Sequence, residues 1–215
     1  PEGKELTKDD YVIILGDFGF VWHFGQSDRY VEDKYQWFAD KPWTTLFIDG
    51  NHENHTRLDA LPTEEMFGNP VGVVRRSIYH LKRGYVYNIA GRSFFTFGGG
   101  YSIDKARRTE EKSWWAREMP SEEEYERGLV SLHNVNSKVD YILTHTCSNE
   151  MFMELATRVN MNHKIAGEDE LRSYFDEIRE TVDHKMWFFG HFHYDYLSDN
   201  NWQVMYDLVK ELIDV

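Results

Sequence analysis

The chain has 215 residues, with 24 Lys and Arg against 37 Asp and Glu for a formal net charge of −13, a sign that opposes salt-driven attraction to a nucleic-acid backbone or an anionic membrane. Hydrophobic residues make up 41% and aromatic residues 16%, ample for a core and too much for a disordered segment. Apolar runs such as Tyr11–Leu15 fall far short of the roughly 18 residues that a membrane-spanning helix needs. One cysteine, Cys147, excludes an intrachain disulfide and makes a reducing cytoplasm the expected compartment. The length suits one α/β domain over residues 1–215, and no repeat or low-complexity linker divides it.

In chain order, the first β-rich run is Tyr11–Leu15. Ser27 then caps a helix whose Val31, Tyr35 and Phe38 recur at i, i+4 and i+7. Thr45–Ile48 is the next strand. Tyr85–Ile89 and Ser93–Phe97 are joined by Ala90-Gly91, a hairpin signal. Ser121 with Glu124 forms a capping box ahead of Tyr125, Leu129 and Leu132. Tyr141–Leu143 is a strand, Leu171, Phe175 and Ile178 mark another amphipathic helix, and Met186–Phe189 is a strand. Asp199-Asn200 turns the chain into a last strand at Gln203–Tyr206. Strands alternating with helices predict α/β layers, and the hairpins predict mixed sheets.

Four of these strands end alike. Tyr11–Leu15 runs into Gly16-Asp17, the second strand into Gly50-Asn51-His52-Glu53, Tyr141–Leu143 into Thr144-His145, and Met186–Phe189 into Gly190-His191-Phe192-His193. Ligands of α/β sheets gather beyond the carboxyl ends of strands, so these side chains are expected on one rim. Carboxylate, amide and imidazole donors without thiolate suit Mn, Fe or Zn. Two such ions about 3.5–4 Å apart activate water and clamp an in-line phosphoryl displacement. His52 is then placed to stabilise the transition state or protonate the leaving oxygen.

In this order and spacing, Gly16-Asp17, Gly50-Asn51-His52-Glu53, His145 and Gly190-His191-Phe192-His193 resemble the calcineurin-like metallophosphoesterases. The resemblance implies two facing mixed β-sheets flanked by helices. It implies that Asp17 bridges two ions, that Asn51, His145 and His191 hold one of them and His193 the other, and that His52 serves catalysis. The implied substrate is a phosphomonoester or phosphodiester, as a small molecule or a phosphorylated partner, with nucleic acid disfavoured by the charge. The family's opening Asp-x-His motif has no counterpart between Pro1 and Asp17. A first strand is therefore expected to be missing, with one ion site left incomplete, and its open sheet edge makes homo-oligomerisation an expectation. The alternative reading is a catalytically impaired binding or regulatory relative.

Other motifs carry less. Asp17-Phe18-Gly19 lacks the rest of a kinase's signature, and His52 and His55 stand at i and i+3, not the i and i+4 of a zincin helix. His55 is expected exposed or supporting the site from outside the ligand set. Gly98-Gly99-Gly100 reads as a strand exit, with Lys105, Arg107 and Arg108 candidates for the pocket mouth. Trp114-Trp115 and Cys147 read as structural, and Glu64-Glu65, Glu110-Glu111 and Glu122–Glu124 as solvated faces.

Overall fold

The computed structural model describes residues 5–22, 29–159 and 167–212. Ser27 lies outside them. Among these residues the chain forms a five-stranded and a six-stranded sheet with flanking helices. The first sheet has the order β1 (Tyr11–Leu15), β2 (Thr44–Ile48), β5 (Ile78–Leu81), β4 (Asn69–Arg75), β3 (Thr63–Met66). The second runs β10 (Tyr196–Leu197), β11 (Trp202–Val204), β9 (Met186–Phe189), β8 (Tyr141–Thr144), β7 (Arg92–Phe97), β6 (Tyr85–Ile89). Parallel pairs β1–β2–β5 and β11–β9–β8–β7 lie beside antiparallel pairs in both sheets, so both are mixed, as expected. Ala90 and Gly91 both have positive φ at the β6–β7 turn, the backbone a two-residue hairpin requires.

The alternation of side chains builds three apolar layers. Leu46 and Ile48 of β2 meet Phe94, Tyr141, Leu143 and Phe188 of the other sheet in the interior between sheets. Phe95, Phe97, Ile142, Trp187 and Phe189 point the opposite way, against Leu171, Phe175 and Ile178 of α5 (Asp169–Thr181) and Met151, Phe152 and Leu155 of α4 (Asn149–Val159). Phe47 and Ile78 back onto Val31 and Tyr35 of α1 (Arg29–Ala39) and Leu58 of α2 (His55–Asp59). No helix among the described residues is long and apolar enough to cross a membrane.

Several expectations are corrected. β3, β4, β5 and β10 were not expected. The last strand is Trp202–Val204 and stops before Met205. In α3 (Glu122–Asn134) the capping box forms, and Leu132 is buried, but Leu129 is exposed because buried Gly128 takes the packed position beside it. Glu124 is not a solvated residue. It accepts from the Ser121 amide and pairs with Arg83 and Arg117. His55 is 4% exposed, at the start of α2.

Candidate metal centre

The carboxyl ends of β1, β2, β8 and β9 deliver the predicted side chains to one rim. Asp17 follows Gly16 in a left-handed turn, and His191 and His193 also have positive φ, a strained conformation that clusters at functional sites. Asp17 Oδ1 lies 3.4 Å from His145 Nε2, which is 3.1 Å from Asn51 Oδ1. The His191 and His145 rings are 4.9 Å apart, edge to face. A Cβ on Gly50 would collide with Asp17 Oδ1 and with His145 Nε2, so only glycine lets these donors approach.

Each donor is aimed by a further bond. His145 Nδ1 faces the Leu15 carbonyl at 2.7 Å. Only an N–H can face a carbonyl at that distance, so Nδ1 holds a proton and the ring turns Nε2 toward Asp17 and Asn51. Asn51 Nδ2 donates to Ser102 Oγ at 3.0 Å, which turns Oδ1 inward. The His52 amide donates to Asp17 Oδ1 at 2.9 Å. Burial works against ionisation of Asp17, yet His145 and the His52 amide outweigh it and hold the carboxyl below its ordinary value.

Asp17 Oδ1, Asn51 Oδ1 and His145 Nε2 thus face one another, three atoms that can each give a lone pair to a cation. Oxygen and imidazole nitrogen suit a borderline or hard divalent metal, and the residues fit one ion. Among the described residues no group of three His, Cys, Asp or Glu side chains could hold a metal; the third donor here is an amide. His191 is held neutral, its pKa pushed down to about 4 by burial. His193 is exposed, and its ring stacks on Tyr206 at 4.7 Å. His52 is half-buried, within electrostatic reach of Asp17 and Asp104.

Three buried carboxylates that sequence reasoning did not single out surround the rim. Glu53 accepts from the Phe18 amide at 2.7 Å and the Gly19 amide at 3.2 Å, clasping the turn that carries Asp17. Burial, with Asp17 and Asp49 nearby, raises its pKa well above the usual range. Asp49, one residue before Gly50, receives Arg83 Nη2 at 2.6 Å and His80 Nε2 at 3.1 Å. Glu168 sits 3.7 Å from His191 Nε2. No spacing signal marks Glu168; only Arg172 at i+4, its partner at 2.6 Å, hints at a buried pair.

Of the expected basic residues, Lys105 lies over the Tyr101 and Trp114 rings and Arg108 is tied to Asp104, while Arg107 is exposed. Cys147 is fully buried, its thiol pushed well up by burial, which fits a structural residue. Trp115 is likewise buried, edge-on to Trp22.

No curated protein matches the chain. The family model of the calcineurin-like phosphoesterases matches residues 2–195, which take in the five-stranded sheet, four strands of the six-stranded one and every donor described above: the chain belongs to the calcineurin-like phosphoesterase family.

Proposed function

We propose that the chain is a metal-dependent phosphoesterase that hydrolyses a phosphomonoester or phosphodiester. The observation that carries this reading is the convergence of Asp17, Asn51 and His145 on a rim of strand ends. A divalent ion there, Mn, Fe or Zn by ligand type, supplies positive charge to the phosphate oxygens and acidifies water. Of the chain's own groups, Asp17, Asn51, His145 and His191 hold the ion, and the half-buried His52 ring carries a proton to the leaving oxygen. Arg107 offers positive charge that an otherwise acidic surface lacks. A cytoplasmic setting belongs to this reading.

The test is hydrolysis of p-nitrophenyl phosphate and bis(p-nitrophenyl) phosphate after manganese loading, with Asp17→Ala and His191→Ala alongside. Both variants are expected to lose turnover and bound manganese together. Full activity in either removes the proposal.

The exposed stacking of His193 on Tyr206 favours a one-ion centre, and with it a second reading, a binding or regulatory protein without turnover. Phosphate-ester binding with no product over a range of metals supports that reading; turnover of either ester rejects it.

A further inference from the structure

Asn51 is buried at the rim, and its side-chain amide ends in an oxygen and a nitrogen of nearly the same size. Only the oxygen has a lone pair for a cation; the nitrogen turned inward would point its N–H groups at the ion. His145 Nε2, 3.1 Å from the inner end of the amide, does not choose between the two, because an imidazole nitrogen can donate or accept. The outer end lies 3.0 Å from Ser102 Oγ. A hydroxyl can also do either, so the choice passes to whatever takes the hydroxyl proton. Ser102 is buried against the fully buried Glu118, whose Oε1 accepts from the Ser102 amide at 3.0 Å and whose carboxyl group lies within reach of the Ser102 hydroxyl as well. An oxygen that already takes an amide proton is an acceptor in either charge state of the carboxyl. The hydroxyl therefore gives its proton to Glu118 and offers a lone pair to Asn51 Nδ2. Glu118 is itself held in place: its carbonyl accepts from the Gly100 amide at 3.2 Å and from Arg83 Nη2 at 3.1 Å, and the same guanidinium grips Asp49, two residues before Asn51.

We propose that Glu118, acting through the Ser102 hydroxyl, is the positioning residue of Asn51, keeping its side-chain oxygen and not its nitrogen turned to the ion. The inference rests on the metal-dependent reading above and deepens it. Asp17 presents an oxygen whichever way its carboxylate turns. Asn51 presents one in only one of two orientations, and the bonds that choose between them come from a loop distant in the sequence. Partners that orient a metal-binding side chain from outside the ligand set are worth about 10–100-fold in ion affinity.

The direct test is a nuclear Overhauser spectrum of metal-free, 15N-asparagine-labelled wild-type protein. The expected result is close approach of the Asn51 side-chain amide protons to the Ser102 β-protons; approach to the His145 ring protons instead overturns the proposal. This measurement needs no variant. Ser102→Ala removes the hydroxyl and leaves the backbone bond to Glu118, whereas Glu118→Gln offers Ser102 a side-chain N–H that turns the hydroxyl proton toward Asn51. Each is expected to weaken manganese binding, titrated by calorimetry, about 10–100-fold, with a circular dichroism spectrum like that of the wild type and with the Asn51 amide protons moved toward His145. Either variant, folded and binding manganese as tightly as wild type, also overturns the proposal, and so does a loss of affinity without that movement of the amide, which is what a merely structural role would give. The phosphoesterase reading is judged separately: wild type with the expected contacts and bound manganese but no ester hydrolysis fails that reading and leaves Glu118's role standing.

Discussion

At Gly50 a hydrogen in place of a side chain lets Asp17 and His145 face each other. Gly50→Ala is expected to weaken manganese binding by at least tenfold, read by calorimetry, because its methyl group would occupy the place of Asp17 Oδ1. The side chains of the rim were legible in the sequence since each cluster follows a strand, three of the four through a glycine. Their supports were not. Ser102, Glu118 and Glu168 reach the site from distant parts of the chain, Ser102 holding Asn51 while its own amide donates to Glu118, and no local pattern records such pairs. His55 offers a separate prediction. Burial, with Arg83 nearby, lowers its pKa to about 3, so the native state leaves it neutral while the unfolded chain takes up a proton below about 6.5. The unfolded state binds more protons in that window, so stability falls as pH drops from about 6.5 toward 3, by up to about 1.4 kcal/mol per pH unit. Among the described residues its Nε2 has no hydrogen-bond partner. His55→Leu should therefore flatten the acid limb of a Tm-against-pH profile; an unchanged slope rejects this account.

The strand β2 and the helix α3 are joined through charge. Arg83, just beyond β5, donates to Asp49 at the end of β2 and to Glu124 in the first turn of α3, all inside the protein. Arg83→Met would leave Asp49 buried without its main counter-charge, a loss of about 3–5 kcal/mol. In a chain of this size that is a fall in Tm of about 6–20 °C, measurable by calorimetry. A change under a few degrees would mean that His80, which also bonds Asp49, suffices. Elements of this kind differ in how plainly the sequence announces them. The strands β1, β2, β6, β7, β8 and β9 are largely apolar and were readable within a residue or so of their ends. β3 carries exposed Thr63, Glu64 and Glu65 on a sheet edge, and β4 contains Pro70 and Gly72. Both depend on ladder pairing more than on their own side chains. β5 is four residues long, too short for periodicity to separate it from a turn.

Across the molecule, the donors come from both sheets: Asp17 and Asn51 from one, His145 and His191 from the other. An ion that binds only this assembled set stabilises the whole fold. Manganese at a hundred times its dissociation constant is expected to add about 2.7 kcal/mol and raise Tm by about 5–10 °C; the absence of any shift would mean that the sheets do not share an ion. Among the described residues β1 has a strand neighbour on one side only, β2. Alternate amides of Tyr11–Leu15 are therefore expected to exchange with solvent far faster than those of β8, which has neighbours on both sides. Uniform protection along β1 in residue-resolved hydrogen exchange would contradict this. The bond from His145 to the Leu15 carbonyl runs between the same two layers, from the exit of β8 to the last residue of β1. It is a rivet as well as a holder of the ring. An aspartate at position 145 would offer the ion an oxygen, yet it has no N–H to give Leu15, so a variant chosen to preserve the donor would still cost the two sheets this tie.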